Sequence, residues 1–143
     1  MKHLFENHDL TTESCGQFID ITDDVLAMVE RSGVRNGQVV VFSPHTTCAV
    51  VINEDETGFL EDFREFLDAL VPRIGRTYRH DAHDGDHEFP NGHSHVRTAL
   101  LSSTSQTIPI VDARPTLGTY QRVFFCELDH ARERKVFIQV TGE

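Results

Sequence analysis

Histidine is unusually dense in one polar stretch of this sequence. Five of the nine histidines fall within residues 80–95, among several aspartates, a glutamate and two glycines. Neutral imidazole is the commonest protein ligand for zinc and similar ions, and carboxylates complete the shell or orient the rings. The residue types therefore indicate a metal site, although the H-E-x-x-H and C-x-x-C spacings are absent. A solvated acidic loop that merely tolerates histidine would have the same composition.

Position within the stretch separates these histidines. His80 and His95 bracket the polar segment where it meets ordered structure, so we predict that these two bind the metal. His83 and His87 lie among aspartates and a glycine and are predicted to be exposed. The sequence does not decide whether His93 takes part.

His45 separates two apolar runs, at residues 38–42 and 48–52, that indicate buried strands around a bend. An ionisable side chain between such strands is unusual, so His45 is a candidate metal ligand or general base. The acids at residues 53–56 are explained more readily as caps of a following helix. The histidines that lack any such context are predicted to lie on the surface: His3, His8 and His130.

Arginine supplies the candidate phosphate contacts. Arg97, Arg114 and Arg122 could hold a phosphorylated substrate through paired hydrogen bonds, although most arginines are solvated surface charges. The formal net charge of −10 would repel a nucleic-acid backbone, so no nucleic-acid partner is expected. A local group of arginines can oppose that charge, and small phosphorylated metabolites remain as ligands.

Membrane and secretory features are missing from the sequence. No stretch approaches the roughly 18 apolar residues of a membrane span, and the first residues contain no apolar signal core. The three cysteines form no C-x-x-C pair and are typical of buried, reduced thiols. We therefore expect a cytoplasmic protein with no membrane partner.

The elements that must position these residues follow from the apolar spacing. Helical spacing predicts helices at 23–32 and 59–70 and a short one that carries His95 near its first turn. Further strands are predicted at 106–111, 120–128 and 136–140. This pattern predicts one α+β domain over residues 1–143, with a sandwich-like core of antiparallel or mixed strands and two or three helices packed outside.

Several short segments together resemble the YjbQ-like family, a group of uncharacterised proteins that includes a secondary thiamine-phosphate synthase. The resemblance covers nearly the whole chain. The segments that carry it are VVVFSPHTTCAVVINEDE within residues 38–56, Tyr78-Arg79-His80-Asp81, Ser94-His95-Val96-Arg97 with Leu100 and Leu101, and Leu117-Gly118-Thr119-Tyr120-Gln121.

The sequence also departs from the family pattern. Tyr120 stands where Trp is expected, and it keeps an aromatic face for stacking but lacks the indole N–H. Asp112-Ala113-Arg114-Pro115 replaces D-G-[RK]-L, and Leu128-Asp129-His130-Ala131-Arg132 replaces F-D-G-P-R.

The resemblance implies a YjbQ-like fold, a homotrimer, and a cleft near the subunit boundary. The motif residues of the family fall on His45 with Thr46, Asn53 with Glu54, His80 with Asp81, and His95. The implied roles are metal binding by His45, His80 and His95, orientation of a ligand or proton transfer by Glu54 or Asp81, phosphate binding by Arg97 or Arg114, and substrate stacking by Tyr120. Zinc is the preferred ion, with nickel, manganese, iron or magnesium as alternatives.

The implied function is a metal-dependent enzyme that acts on a small phosphorylated metabolite. The named candidate reaction joins hydroxymethylpyrimidine diphosphate to a thiazole phosphate, and a divalent ion would neutralise the leaving diphosphate. A metal-activated hydrolase and a non-catalytic trimeric protein that binds a metal or ligand remain as alternatives. Apolar residues on both faces of the strand at 120–128 indicate that it is covered on both sides, which agrees with a trimer.

Overall fold

A computed structural model describes the protein at residues 1–83, 89–101 and 103–143. The predictions for the side chains of His83 and His87 lie outside the described residues. The described residues form eight strands and four helices in this order: β1 (Lys2–Thr11), β2 (Gln17–Asp20), α1 (Thr22–Ser32), β3 (Gly37–Phe42), β4 (Cys48–Glu54), α2 (Thr57–Leu70), α3 (Arg79–His83), α4 (Gly92–Leu101), β5 (Ser105–Val111), β6 (Arg114–Pro115), β7 (Gln121–Glu127) and β8 (Glu133–Gly142).

The strands form two sheets in which every described pairing is antiparallel. The larger sheet has the order β1-β8-β3-β5-β6, and the smaller has the order β2-β7-β4. β8 lies between β1 and β3, where its apolar residues alternate with polar ones as the sequence predicted.

Two apolar clusters make the core and share the smaller sheet. The first joins the inner face of the larger sheet to α1 and to one face of β7, through Val123 and Phe125. The second joins the other face of β7, through Phe124 and Cys126, to α2 at Leu67. The predicted α+β class with a sandwich-like antiparallel core is confirmed, and the short helix α3 raises the number of helices to four.

These clusters explain why β7 is apolar on both faces. Each face is covered by other elements of the same subunit, so the pattern at 120–128 is not evidence for a partner chain. Tyr120 precedes the strand and is 72% exposed.

Three aromatic rings lie instead on the outer face of the larger sheet. The ring centroid of Phe137 in β8 is 5.5 Å from that of Phe5 in β1 and 6.3 Å from that of Phe42 in β3. Phe5 is 51% exposed and Phe42 is 39% exposed. We call this row of three phenylalanines the aromatic face. α1 packs on the opposite, inner side of the sheet.

A two-residue turn joins β5 to β6 in a backbone conformation that suits glycine. Asp112 and Ala113 have φ of 49° and 64°, between the paired residues Val111 and Arg114. Positive φ at both central residues is the type I′ pattern that matches the twist of a hairpin. A β-carbon at such a φ is crowded by the following carbonyl, and Ala113 has no side-chain polar group that could compensate.

We expect the change Ala113→Gly to stabilise the protein. Removing the strained β-carbon outweighs the added entropy of the unfolded chain, and the free energy of unfolding should rise by about 0.5–1 kcal/mol. Urea denaturation measures this free energy of unfolding. The change Ala27→Gly, at an exposed position within α1, should lower the free energy of unfolding by about as much. A loss of stability on Ala113→Gly would contradict the inference that the backbone at Ala113 is strained.

Candidate functional site

A polar cavity of about 340 Å³ lies between three chain segments and the first turns of a helix. The turn between β3 and β4 contributes His45, α3 contributes His80, the start of α4 contributes His95, and the segment after β7 contributes Asp129. The three histidines predicted as metal ligands therefore line the same cavity. The remaining lining residues are Pro44, Thr46, Thr47, Asn91, Arg132 and Arg134.

His80 and His95 are direct neighbours in this cavity. Their ring centroids are 4.4 Å apart, with the ring planes inclined by 58°. The Asn91 side-chain amide donates a hydrogen bond from Nδ2 to Asp129 Oδ2, at 3.0 Å, and this turns Asn91 Oδ1 toward His80 Nε2, at 3.1 Å. An amide oxygen only accepts, so His80 Nε2 carries the hydrogen and Nδ1 carries the lone pair of the neutral ring.

Asp81 acts on the helix that carries His95. Its Oδ1 accepts hydrogen bonds from the backbone N–H groups of Asn91, at 3.0 Å, and Gly92, at 2.8 Å. A carboxylate at a helix N-terminus satisfies donors that have no partner within the helix. The predicted carboxylate of the site thus fixes Asn91 and the first turn of α4, and through them the position of the two histidines.

His45 is held by β8 on the other wall. The backbone N–H of Lys135 donates to His45 Nε2 at 2.9 Å, so Nδ1 carries the hydrogen of the neutral ring. Partial burial lowers the pKa of His45, and the nearby positive charge of Arg134 lowers it further. His45 is therefore a neutral hydrogen-bond donor at neutral pH.

Asp129 organises one side of the cavity, which we call the floor and which consists of Asn91, Asp129, Arg132 and Arg134. Burial alone would raise its pKa, but hydrogen bonds from Asn91 and His130 and the charge of Arg132 outweigh burial, so the pKa is lowered. Arg132 Nη2 lies 3.2 Å from Asp129 Oδ2. Asp129 is thus a buried carboxylate that stays ionised and holds one of the two cationic side chains of the cavity.

A buried ion pair lies directly behind this floor. Glu127, which is 0% exposed, binds Arg134 through two hydrogen bonds of 2.7 Å, from Nε to Oε2 and from Nη2 to Oε1. Glu127 also accepts from the Thr12 hydroxyl at 2.8 Å and from the Asp129 backbone N–H at 3.0 Å. Arg134 in turn donates to the Thr47 hydroxyl at 3.1 Å. The pair ties four chain segments to one wall of the cavity.

The described residues contain no group of three or more His, Cys, Asp and Glu side chains arranged to hold a metal ion. His80 and His95 stand together, whereas the Nε2 lone pair of His45 already accepts the Lys135 backbone N–H. The residues therefore supply two neighbouring imidazoles, and the three-histidine metal site stays a prediction.

Several residues that the sequence suggested lie away from this cavity. Arg97 is 2% exposed and donates from Nε and Nη2 to the Val71 carbonyl, at 3.0 and 2.7 Å, and from Nη2 to Asp68 at 2.6 Å. Its guanidinium thus joins α4 to the end of α2, so the described contacts do not support phosphate binding by Arg97. The reason is helical geometry, because residues two apart on α4 point to different sides.

Arg114, Glu54 and Tyr120 are also not among the lining residues of the cavity. Arg114 lines a separate hollow of about 380 Å³ between α1 and the β5–β6 turn. Glu54 is exposed at the end of β4, while the neighbouring acid Glu56 caps α2 by accepting from the Gly58 and Phe59 backbone N–H groups. The capping explanation of the acids is confirmed at Glu56. The roles predicted for Arg114, Glu54 and Tyr120 stay predictions.

His93 is buried beside the site but faces another neighbour. Its ring centroid lies 6.4 Å from that of Tyr78. Burial lowers its pKa, and the charges of Arg97 and Arg73 lower it further. It is not among the residues that line the cavity.

Sequence reasoning missed the residues that make the floor, namely Asn91, Asp129, Arg132 and Arg134. One signal was present for Arg134, because it shares the inward parity of Val136, Ile138 and Val140 in β8. An inward charge requires a buried partner, and Glu127 is the acid within the apolar strand β7. No comparable signal marks Asn91, whose partners lie 11 and 38 positions away.

Comparison with known proteins places the chain in a family. Residues 6–143 match the family described as UPF0047 protein YjbQ-like. A UPF0047 protein from Methanothermobacter thermautotrophicus is 41% identical over 134 residues, which cover 94% of this chain and 89% of that protein. A UPF0047 protein from Archaeoglobus fulgidus is 42% identical, over 91% of this chain and 95% of that protein.

Solved structures agree with this similarity. A YbjQ-like protein of unknown function from Sulfolobus solfataricus superposes with a TM-score of 0.84 at 31% identity, over 99% of both chains. A hypothetical protein from Aeropyrum pernix gives 0.83 at 36% identity, over 96% of this chain and 99% of that one. Within the described residues, no helix has the length and apolar character needed to cross a membrane. The chain belongs to the YjbQ-like UPF0047 family.

Proposed function

We propose that the cavity binds a small phosphorylated metabolite and that the protein is a metal-assisted enzyme acting on it. The cationic and imidazole side chains that line the cavity carry this proposal. The chain has a formal net charge of −10. The charged and imidazole side chains that line the cavity are nevertheless two arginines, three histidines and one acid, Asp129. Cationic and imidazole groups gathered in this way within an acidic protein favour an anionic ligand.

Size and donor chemistry support the same ligand class. A volume of about 340 Å³ lies at the small end of ordinary small-molecule sites. Arg132 has 40% of its side chain exposed, so its guanidinium can reach a ligand, whereas Arg134 is committed to Glu127, whose carboxylate neutralises its charge. His45 adds an N–H donor from the opposite wall. Such donors suit phosphate oxygens.

Arg132 should therefore control the affinity for a phosphate anion. We expect wild-type protein to bind inorganic pyrophosphate and Arg132→Ala to bind it at least about tenfold more weakly, because a charge-assisted hydrogen bond is lost. Isothermal titration calorimetry measures both affinities. Arg35→Ala, which removes an exposed arginine paired with Asp112, is the matched control and should bind as wild type does.

Arg114→Ala completes the comparison, since the sequence suggested Arg114 as a phosphate ligand. A loss of affinity confined to Arg114→Ala would contradict the cavity assignment. Equal affinity of wild type and Arg132→Ala would do so as well.

The two neighbouring imidazoles are the metal-binding part of the proposal. Two imidazoles whose ring centroids are 4.4 Å apart can serve one divalent ion, zinc first, and His45 could join them only by giving up its hydrogen bond from Lys135. A bound ion would neutralise negative charge on a phosphate or diphosphate group. The Asn91–Asp129 pair orients His80, and Asp81 orients the helix of His95.

Loss of either neighbouring histidine should therefore weaken metal retention. We expect His80→Ala and His95→Ala to purify with much less metal than wild-type protein, and His45→Ala to do so to a similar degree if His45 gives up its hydrogen bond from Lys135 to join the site. Asp81→Asn should show a smaller effect, because a group that orients a ligand changes affinity by about 10- to 100-fold. Plasma emission on untagged protein measures the content. His3→Ala, at an exposed position in β1, is the control. Unchanged metal in the His80 and His95 variants would refute the site.

The reaction that we propose as the candidate is thiamine phosphate formation. The thiazole nitrogen would form a bond to the methylene carbon of hydroxymethylpyrimidine diphosphate, and the carbon–oxygen bond would break to release pyrophosphate. A hydrolase would instead convert the diphosphate alone to its monophosphate and inorganic phosphate. A binding protein would leave both compounds unchanged. Product analysis by mass spectrometry distinguishes these three outcomes. The cytoplasmic location inferred from the cysteines stays a prediction.

We also propose that the protein is a homotrimer that assembles through the aromatic face. Phe5 and Phe42 are exposed and form an apolar row with the half-buried Phe137, and such a row favours association. Lys135 shares the outward parity of Phe137 and binds His45 through its backbone, so a subunit on this face would approach the cavity.

Light scattering during gel filtration should therefore give about three times the subunit mass of 16.2 kDa. Phe5→Ser should shift the protein toward monomer, because it removes apolar area from the face. Phe66→Ser, at a residue 60% exposed on α2, should leave the mass unchanged. A wild-type monomer at micromolar concentration would exclude the trimer.

A further inference from the structure

His130 joins two charged residues of the cavity floor without lining the cavity itself. Its Nδ1 lies 2.9 Å from Asp129 Oδ1, and its Nε2 accepts a hydrogen bond of 3.1 Å from Arg132 Nε. Arg132 closes the triangle with its Nη2, 3.2 Å from Asp129 Oδ2. The ring also packs beside Phe89, with centroids 4.9 Å apart.

The partners of His130 fix its tautomer. The carboxylate of Asp129 only accepts hydrogen bonds, so Nδ1 must carry a hydrogen. The guanidinium of Arg132 only donates, so Nε2 must offer a lone pair. The neutral ring with its hydrogen on Nδ1 satisfies both neighbours at once, with a rigid donor and acceptor on opposite sides.

This arrangement restricts the guanidinium of Arg132. Two of its nitrogens are occupied, Nε by His130 and Nη2 by Asp129, and the five donors of a guanidinium leave others for a ligand. Arg132 has a long and flexible side chain with 40% exposure, and it would otherwise sample many rotamers. Fixing it before a ligand arrives removes that entropic cost from binding.

We propose that His130 is a positioning residue for the anion site: it accepts the Arg132 Nε–H and so holds the guanidinium against the cavity. The inference rests on the proposed function, because it assigns Arg132 to the phosphate group. The role in positioning Arg132 belongs to His130 Nε2, because Nδ1 faces Asp129 instead.

Two conservative variants separate the two nitrogens. The terminal amide of glutamine reaches the place of Nε2, so His130→Gln keeps an acceptor for Arg132. The shorter amide of asparagine reaches the place of Nδ1, so His130→Asn keeps the contact with Asp129 and loses the acceptor. By calorimetry with inorganic pyrophosphate, we expect His130→Gln to stay near wild-type affinity and His130→Asn to bind about tenfold more weakly.

A double-mutant cycle tests whether the effect passes through Arg132. In the Arg132→Ala background, the change His130→Asn should have no further effect on pyrophosphate affinity, because the group that it positions is gone. An equal loss in both backgrounds would overturn the inference, and so would wild-type affinity in His130→Asn. If wild-type protein binds no pyrophosphate, the proposed function fails as well. If Arg132→Ala loses affinity but His130→Asn does not, only the positioning role fails.

The tautomer gives a second test that needs no variant. The ¹⁵N chemical shifts of the His130 ring in wild-type protein at neutral pH should show a protonated Nδ1 and an unprotonated Nε2. A ring with its hydrogen on Nε2 could not accept from Arg132 and would overturn the assignment.

Discussion

The Glu127–Arg134 ion pair is the interaction on which the rest of the site depends. Both side chains are at least 95% buried, and leaving either charge without its partner would cost on the order of 3–5 kcal/mol. Three further hydrogen bonds connect the pair to other segments: Thr12 beyond β1, Thr47 before β4, and the backbone of Asp129 after β7. A single charged contact therefore sets the relative positions of segments that are far apart in sequence.

The histidine cavity inherits its geometry and its electrostatics from this pair. Arg134 begins the part of β8 that brings the Lys135 N–H to His45, and its positive charge adds to burial in lowering the pKa of that ring. On the Glu127 side, the bound backbone of Asp129 places a carboxylate between Asn91 and Arg132. Hydrogen bonds then lead from this carboxylate to His80 in one direction and to His130 in the other.

The sequence predicted those parts of the molecule in which local pattern and final environment agree. The helices around Val29 and Leu67 and the alternation of β8 follow from apolar spacing, and His45, His80 and His95 stood out where polar residues meet strand and helix ends. The N-terminal strand was not assigned because Glu6 and His8 occupy its inward positions, where they approach Arg31 and Asp24 and hide the apolar alternation. The contacts of Arg97 with the end of α2 could not be predicted, because a buried cation that binds a helix end looks in sequence like a free one.

The pairing of β1 with β8 has a consequence for how the chain is made. Thr11 and Glu133 are partners although 122 positions separate them, and β8 lies in the larger sheet between β1 and β3. During synthesis, β1 and β3 must leave the ribosome long before the strand that joins them exists. Contacts this distant in sequence slow folding, so the early strands spend time with their edges open to other chains. The larger sheet can therefore close only once β8 has been made.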